Sequence, residues 1–431
     1  MLLIYTHKIT NRLTYVGKHL FTGILGIEVS FTSKVEDFIK HTGPKLTYTK
    51  KPLQNEFFIR SNDLLFEKGI NDIQISISNW DNVPCFFACD ETSSVPYDVF
   101  SASFFMLSRY EEYLPHVKDR LGRFPAKESI GFKSGFLHLP VVDLWAYKLL
   151  ELLKVRFPEI KASPKPYRFT PMVNVTVSHK YARRGFSRAL GGYLLDLSRL
   201  RLKSLVKRTA VQLGMQKDPY DNFEHLLALH EKYRAKPLFF FQFAAYGEHD
   251  KNISPNNLKF GYLIKAVADR AVVSLSTSFA SSTNLEVLKK EKKRLGELIH
   301  RPIHFARLRY NRVNVPTTYR TLIEAEFTSD FSMGYTHQIG FRAGTCTPFP
   351  FYDIGVEAKQ PLRVHPFVMH DYALQKFKKS DKVFEKLDPI FDSVRRLHGE
   401  LNLVFSNELL GTQKRLDYLK LYESLLKRYY V

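Results

Sequence analysis

The chain divides by the rhythm of its apolar positions. Up to about residue 95, strand-length apolar and aromatic runs alternate with polar turns: GILGIEVSFT (23–32), KLTYT (45–49), NEFFIR (55–60) and IQISISNW (73–80). At Tyr97 the period lengthens. In PYDVFSASFFMLSRYEEYL the residues Phe100, Phe104, Leu107 and Tyr110 fall on one helical face, and VVDLWAYKLLELLKVRF (141–157) reads as a second helix. Two prolines among small polar residues in KASPKPYRF (161–169) mark a connector, because proline restricts both its own φ and its predecessor. The expected organisation is a smaller α+β domain over 1–163 and a second domain over 164–431.

Beyond the connector, strands and helices alternate. Strand candidates are MVNVTVS (172–178), KPLFFFQFA (236–244), AVVSLSTSF (271–279), IHFARLRY (303–310), RVHPFVM (363–369) and LNLVFS (401–406). Between them lie a basic amphipathic helix GGYLLDLSRLRLKSLVKR (191–208), an Asp-capped helix from Asp218, and NLKFGYLIKAVADR (257–270). Further helices are NLEVLKKEKKRLGELI with Asn284 as N-cap, one started by Pro316, DKVFEKLDPIFDSVRRL (381–397), and a closing KRLDYLKLYESLLKRYY (414–430). Repeated βα units of this length imply an α/β fold with a parallel sheet or barrel, whose site lies at the C-terminal ends of the strands.

Composition adds charge and context. Residues 1–163 carry 20 Lys+Arg against 18 Asp+Glu, and residues 164–431 carry 44 against 25, so the net +21 belongs almost wholly to the second part. Such a field favours an acidic partner (anionic glycan, nucleotide sugar, nucleic acid or anionic lipid), or else is a solvated surface. No apolar run of about 18 residues and no secretory leader pattern is present, so a cytoplasmic location is expected. Cys85 and Cys89 in PCFFAC, with Cys346, read as buried thiols of a reducing compartment; one C-x3-C pair without a second is no zinc site.

Several segments resemble a branch of the polysaccharide deacetylases, carbohydrate esterase family 4. They are ARRGFSRALGGYLLDL (182–197), DPYDNFEHLLALHEKY (218–233), PTTYRTLIEAEFTSDFSMGY (316–335), GFRAGTCTPFPFYDIG (340–355), HPFVMHD (365–371) and GELNLVFSNE (399–408). SRYEEYLPHVKDRLGRFP (108–125) resembles the accessory domain of such relatives. The resemblance implies a distorted (β/α) barrel with one divalent metal, a carboxylate base on the first strand, metal-binding histidine on a later one, and a histidine acid on the last.

Each of those places departs here. The first strand presents Asn174 and Thr176, and no Asp or Glu occurs from Phe169 to Leu195. Ser276 stands at the metal-histidine position and Ser406 at the acid position, followed by a retained Asn407. Amides and hydroxyls are poor zinc ligands beside imidazole and carboxylate. A catalytically degenerate member is therefore expected: no cofactor, and a carbohydrate- or anion-binding or scaffolding role with a glycan, a sugar-linked ligand or a partner enzyme. Arg342, Asp371, His304 and Asn407 match family positions and are binding candidates, with an Arg342–Asp371 structural pair as the plain alternative.

Other constellations have plainer readings beside them. A relocated metal site, zinc included, would use His365, His370 and Asp371, and a rearranged active deacetylase would add His304. His300 and His304 have H-x3-H spacing, but Pro302 breaks the helix that would align them. Ser178 and His179 are neighbours, and strand alternation would point them apart. KKEKKR (289–294) reads as a solvated helix face. SRLRLKSLVKR (198–208) could lie on a membrane surface, although packing against the barrel is the expected role. A basic nucleic-acid or membrane-surface binder is the third reading, with nucleic acid its minor part, since FFFQF and PFPFY sit in buried-strand patterns.

Overall fold

A computed structural model describes residues 1–412 and 416–430; Lys414 and Arg415, placed above in the closing helix, lie outside them. The first region builds a four-stranded sheet from β1 (Leu2–Tyr5), β2 (Val29–Thr32), β3 (Lys45–Thr49) and β4 (Phe57–Arg60), in the order β2-β1-β3-β4 and parallel throughout. Two of the expected strands shrink. Gly23 and Ile24 end a helix running from Asn11, whose Thr10 cap accepts from the Leu13 amide and whose Leu13, Val16, Leu20, Phe21 and Ile24 are buried at helical spacing. Residues 73–77 pair with no strand; Ile73, Ile75 and Ile77 pack on the core, and pairing begins only in the hairpin β5 (Ser78–Trp80) and β6 (Val83–Cys85). The two helices read from periodicity form at Val99–Leu107 and Val141–Arg156.

The second region is α/β and barrel-like. Its strands are β7 (Arg168–Val175), β8 (Leu238–Gln242), β9 (Val272–Ser276), β10 (Phe305–Arg307), β11 (Ser329–Asp330), β12 (Phe349–Asp353), β13 (Ala358–Val364), β14 (Met369–His370) and β15 (Glu400–Ser406). They form one sheet, β12-β13-β11-β10-β9-β8-β7-β15-β14, parallel except for the antiparallel edge β12. The segment after β13 bridges the two sides of the curl. The amides of His365 and Phe367 donate to Asp330 and Met333 carbonyls (2.8 and 3.0 Å), and then Val368 donates to Asn402 (3.1 Å). A separate apolar cluster of Met172, Leu238, Phe240, Phe331, Phe367 and Val404 fills the space between them.

The connector is a fixed element. Ser163 donates to the Leu25 carbonyl (2.9 Å), and its own oxygen would stand 1.8 Å from a Cβ on Gly26, which also has φ +66°. One apolar core runs through both regions. Polar joints reinforce it: Asp143 on the helix Val141–Arg156 accepts from the Cys346 amide (3.0 Å) and the Thr347 hydroxyl (2.6 Å).

The basic segment 191–208 departs most from expectation. It forms two helices, Phe186–Ser198 and Leu202–Gln212, broken where Leu200 adopts φ +50°. They do not cover the sheet. They bury Arg208 on Asp196 at 2.6 Å together with Val211, Leu205 is partly buried, and the other leucines stay exposed.

Candidate binding site at the strand ends

The C-terminal ends of β7, β10, β14 and β15 surround a cleft of about 440 Å³, lined by Asn174, Thr176, Arg309, Tyr310, His370, Tyr372, Ser406 and Glu408 among others. Leu121 and Arg123 reach it from the first region, so the mouth is composite. Arg123 is placed by Asp119 (2.8 Å) and by the Tyr310 carbonyl (2.8 Å).

The register explains which strand tips meet. Asn174 pairs with Ser406 across β7 and β15, and parallel strands in register bring their last residues to one edge. Ser406 donates its hydroxyl (2.7 Å) and its amide (2.6 Å) to one oxygen of Asp371, which is fully buried. The Thr176 hydroxyl donates to Glu408 (2.8 Å). Burial raises the Glu408 carboxyl above its ordinary value; Thr176 and Arg309 act against that, and nearby Asp371 adds to it. The amide oxygen of Asn174 is buried with no partner in the protein. Ser276 ends β9 with its hydroxyl likewise buried and unpaired, outside the lining of the cleft.

The carried-over candidates disperse. Arg342 pairs with Glu112 at 2.7 and 2.9 Å, not with Asp371, and both side chains are buried. Burial opposes its charge, but Glu112 more than compensates, so its guanidinium is a fixed joint between the regions and not a free anion contact. Asn407 is buried, donating to the Val177 and Tyr220 carbonyls (3.1 and 3.2 Å), and it holds the loop after β15. His304 is exposed at the opposite, N-terminal end of β10, on an open groove of about 940 Å³ with His300, which caps its helix at φ +53°.

The proposed His365–His370–Asp371 set does not converge. His365 bonds Glu400 (2.9 Å) at the start of β15 and stacks on Phe331, whereas His370 lies at the mouth. His370 Nδ1 comes within 2.7 Å of Asp371 but off the direction a hydrogen bond needs, and it accepts from the Tyr372 amide at 3.3 Å. Burial lowers its pKa, with Asp371 opposing. Among the described residues no group of three or more His, Cys, Asp or Glu side chains could hold a metal ion. The donor set at the strand tips therefore does not fit the zinc that the family resemblance implies.

Ser178 and His179 correct a different expectation. Both lie beyond β7, so strand alternation does not separate them, and Ser178 Oγ sits 3.3 Å from His179 Nδ1. Both are buried, and the hydroxyl is engaged by Asn252 (3.2 Å), which leaves no exposed nucleophile. Cys85 and Cys346 are buried and Cys89 is partly so; all three are free thiols, and burial pushes Cys85 up to about 12 and Cys89 to about 11.

Sequence reading missed Arg309, Tyr310, Lys251, His337, Tyr372 and Glu408. Only Glu408 carried a signal, being the next residue after the retained Asn407. Tyr310 and Asn311 both have positive φ (57° and 53°), a conformation costly for the tyrosine and tolerated by the asparagine. It is held by Arg307, which donates to Asn311 Oδ1 (2.6 Å), and by Asn311 Nδ2 on Thr336 (2.8 Å). No residue pattern in the sequence announces that turn.

Residues 2–158 match the model of a family of unknown function, DUF7033. No curated protein matches the chain by sequence. Among solved structures, a candidate polysaccharide deacetylase from Mycobacterium smegmatis is similar at TM-score 0.38 and 12 % identity, over 61 % of this chain and 85 % of that one. The structure of Puue allantoinase is similar at TM-score 0.38 and 15 % identity, over 60 % and 83 %. A mutant of BA3943, described as a CE4 family pseudoenzyme with restored enzymatic activity, is similar at TM-score 0.29 and 9 % identity, over 60 % and 63 %.

Proposed function

We propose that the mouth binds an acidic sugar or sugar-linked anion and does not perform metal-dependent hydrolysis. One observation carries this reading: at the strand tips amide and hydroxyl groups stand inside a rim of basic side chains, with Asn174 offering an unpaired acceptor. A buried acceptor without a partner calls for a donor, which a sugar hydroxyl supplies. Lys251 at the rim calls for negative charge, Arg123 and Arg309 are already turned to Asp119 and Asp250, and the rings of Tyr310 and Tyr372 suit a sugar face. Burial raises the Glu408 carboxyl and so weakens the charge that opposes an anion there, although Thr176 and Arg309 act against that.

The test is calorimetric titration of the full chain with uronic-acid oligomers and with neutral oligomers of the same length. The acidic series should bind more tightly, and Lys251→Ala should weaken it roughly tenfold, the effect of losing one charge-assisted contact. Incubation with zinc, cobalt or nickel should give no stoichiometric metal and no acetate from acetylated oligomers. Metal held at the mouth, or acetate release that Asp371→Asn abolishes, would establish a rearranged deacetylase instead.

A further inference from the structure

We propose that the helical hairpin 186–212 docks this protein on an anionic membrane surface. The hairpin is inside out for a water-exposed element. Between its helices lie the Arg208–Asp196 ion pair and the Tyr193 hydroxyl, 3.0 Å from Thr209 and 2.9 Å from Gln212. Gly192 admits the guanidinium, since a Cβ there would come within 2.3 Å of it. The outward faces are apolar at helical spacing. Leu190, Leu194 and Leu197 are 49, 60 and 56 % exposed, and Leu202, Val206 and Leu213 are 65, 71 and 70 % exposed. Six large apolar side chains exposed on one short hairpin mark an interaction surface.

Charge selects the occupant. From Lys180 to Lys217 the chain has ten Lys or Arg and one acid, Asp196, which Arg208 occupies. Arg199, Arg201, Lys203 and Lys207 are all exposed beside the leucines. Leucines to enter the acyl boundary, cations for the headgroups and an internally satisfied polar core form the pattern of an interfacial amphipathic element, where each cation strengthens attraction to anionic lipid. No helix among the described residues is long and apolar enough to cross a membrane, so the hairpin would lie on the surface.

Its place in the fold gives the docking a consequence. The hairpin is inserted after β7, at the same sheet end as the mouth. Asp218 ties its entry by accepting the amides of Lys180, Tyr181 and Ala182 (2.8, 2.7 and 2.9 Å), and Arg188 donates to the Asn252 carbonyl (3.2 Å), next to Lys251 at the mouth. Docking would set the cleft beside the lipid headgroups.

The full chain should co-sediment with phosphatidylcholine vesicles containing about 30 % phosphatidylglycerol at least tenfold more tightly than with phosphatidylcholine alone, and rising salt should weaken it. The double variant Leu194→Glu/Leu197→Glu should lose that gain with its circular dichroism and thermal midpoint unchanged, because both side chains are exposed. Leu197→Trp should show a blue shift in emission on anionic vesicles only. The glutamate variant should still titrate with uronic-acid oligomers as the native protein does, so failure at the mouth and failure at the hairpin are separable. Equal sedimentation with neutral vesicles would overturn the proposal. So would a concentration-dependent dimer dissolved by the glutamate pair in a protein that ignores both kinds of vesicle.

Discussion

Glu112 stands between two guanidinium groups. Its oxygens accept from Arg342 Nε and Nη2 and from Arg109 Nε (2.8 Å), all three side chains being buried. Burial raises the carboxyl, but Arg342 and Arg109 overcome it and hold Glu112 below the ordinary glutamate value of 4.5. The group's contribution to stability is therefore complete above that value and is lost as the pH falls through the lowered one. Glu112→Gln leaves the buried Arg342 without its counter-charge, while Arg109 keeps Glu111 at 2.6 Å, so urea unfolding at pH 7 should show a loss of about 3–5 kcal/mol. A near-native midpoint would mean that Arg342 has another partner. The sequence showed Arg342 as a motif residue but not its partner, because 230 positions separate the two.

At the scale of elements, the helix Leu285–Ile299 shows how a charge run divides on folding. Its start was readable, and the Asn284 side chain does accept from the Val287 amide (3.1 Å). Within KKEKKR, Lys289, Lys290 and Lys293 are exposed as a solvated face should be, whereas Glu291 is buried against the Ser278 amide (3.2 Å). Desolvation raises Glu291 from 4.5 to about 7, with Ser278 opposing. A raised carboxyl keeps a proton that the unfolded chain has released, so it withdraws stability as the pH rises from 4.5 to about 7. Glu291→Gln should stabilise the protein by up to about 3 kcal/mol at pH 8 and scarcely at all at pH 4.5, read from urea midpoints at both values. The strands and most helices were legible because period and caps are local properties. The breaks were not: the turn at Leu200 and the unpaired run 73–77 depend on what each segment meets.

For the whole molecule, acid sensitivity follows from three histidines buried without charge. Burial is the first cause for each, lowering His19 to about 3 and His179 and His230 to about 4 from the ordinary 6.5. The unfolded chain takes up protons that these folded groups refuse, so stability is full above 6.5 and falls as the pH drops below it. Glu291, Glu408 and the fully buried Asp98, Asp143 and Asp330 are raised and work in the opposite direction, so the histidine part is read as a difference. Between pH 7 and pH 5, His230→Gln should lose about 2 kcal/mol less stability than the native protein in urea unfolding. Identical slopes would show that this ring reaches water.

The amino-acid order alone settled the alternation of strands and helices, the Asn284 cap, the location of the positive charge, and the lack of Asp and Glu from Phe169 to Leu195. All of these are counted along the chain, and local backbone preference acts over a few residues. The Asp218 cap did not form, since its helix starts at Phe223 and Asp218 instead accepts the amides of Lys180, Tyr181 and Ala182. Folding decided the rest: that Arg342 serves Glu112, that His365 and His370 face different surroundings, that the first region supplies part of the mouth, and that the basic hairpin turns its leucines outward. Those outcomes depend on which distant groups share one desolvated space, and the free energy of burying a charge or a leucine exists only once its neighbours are in place.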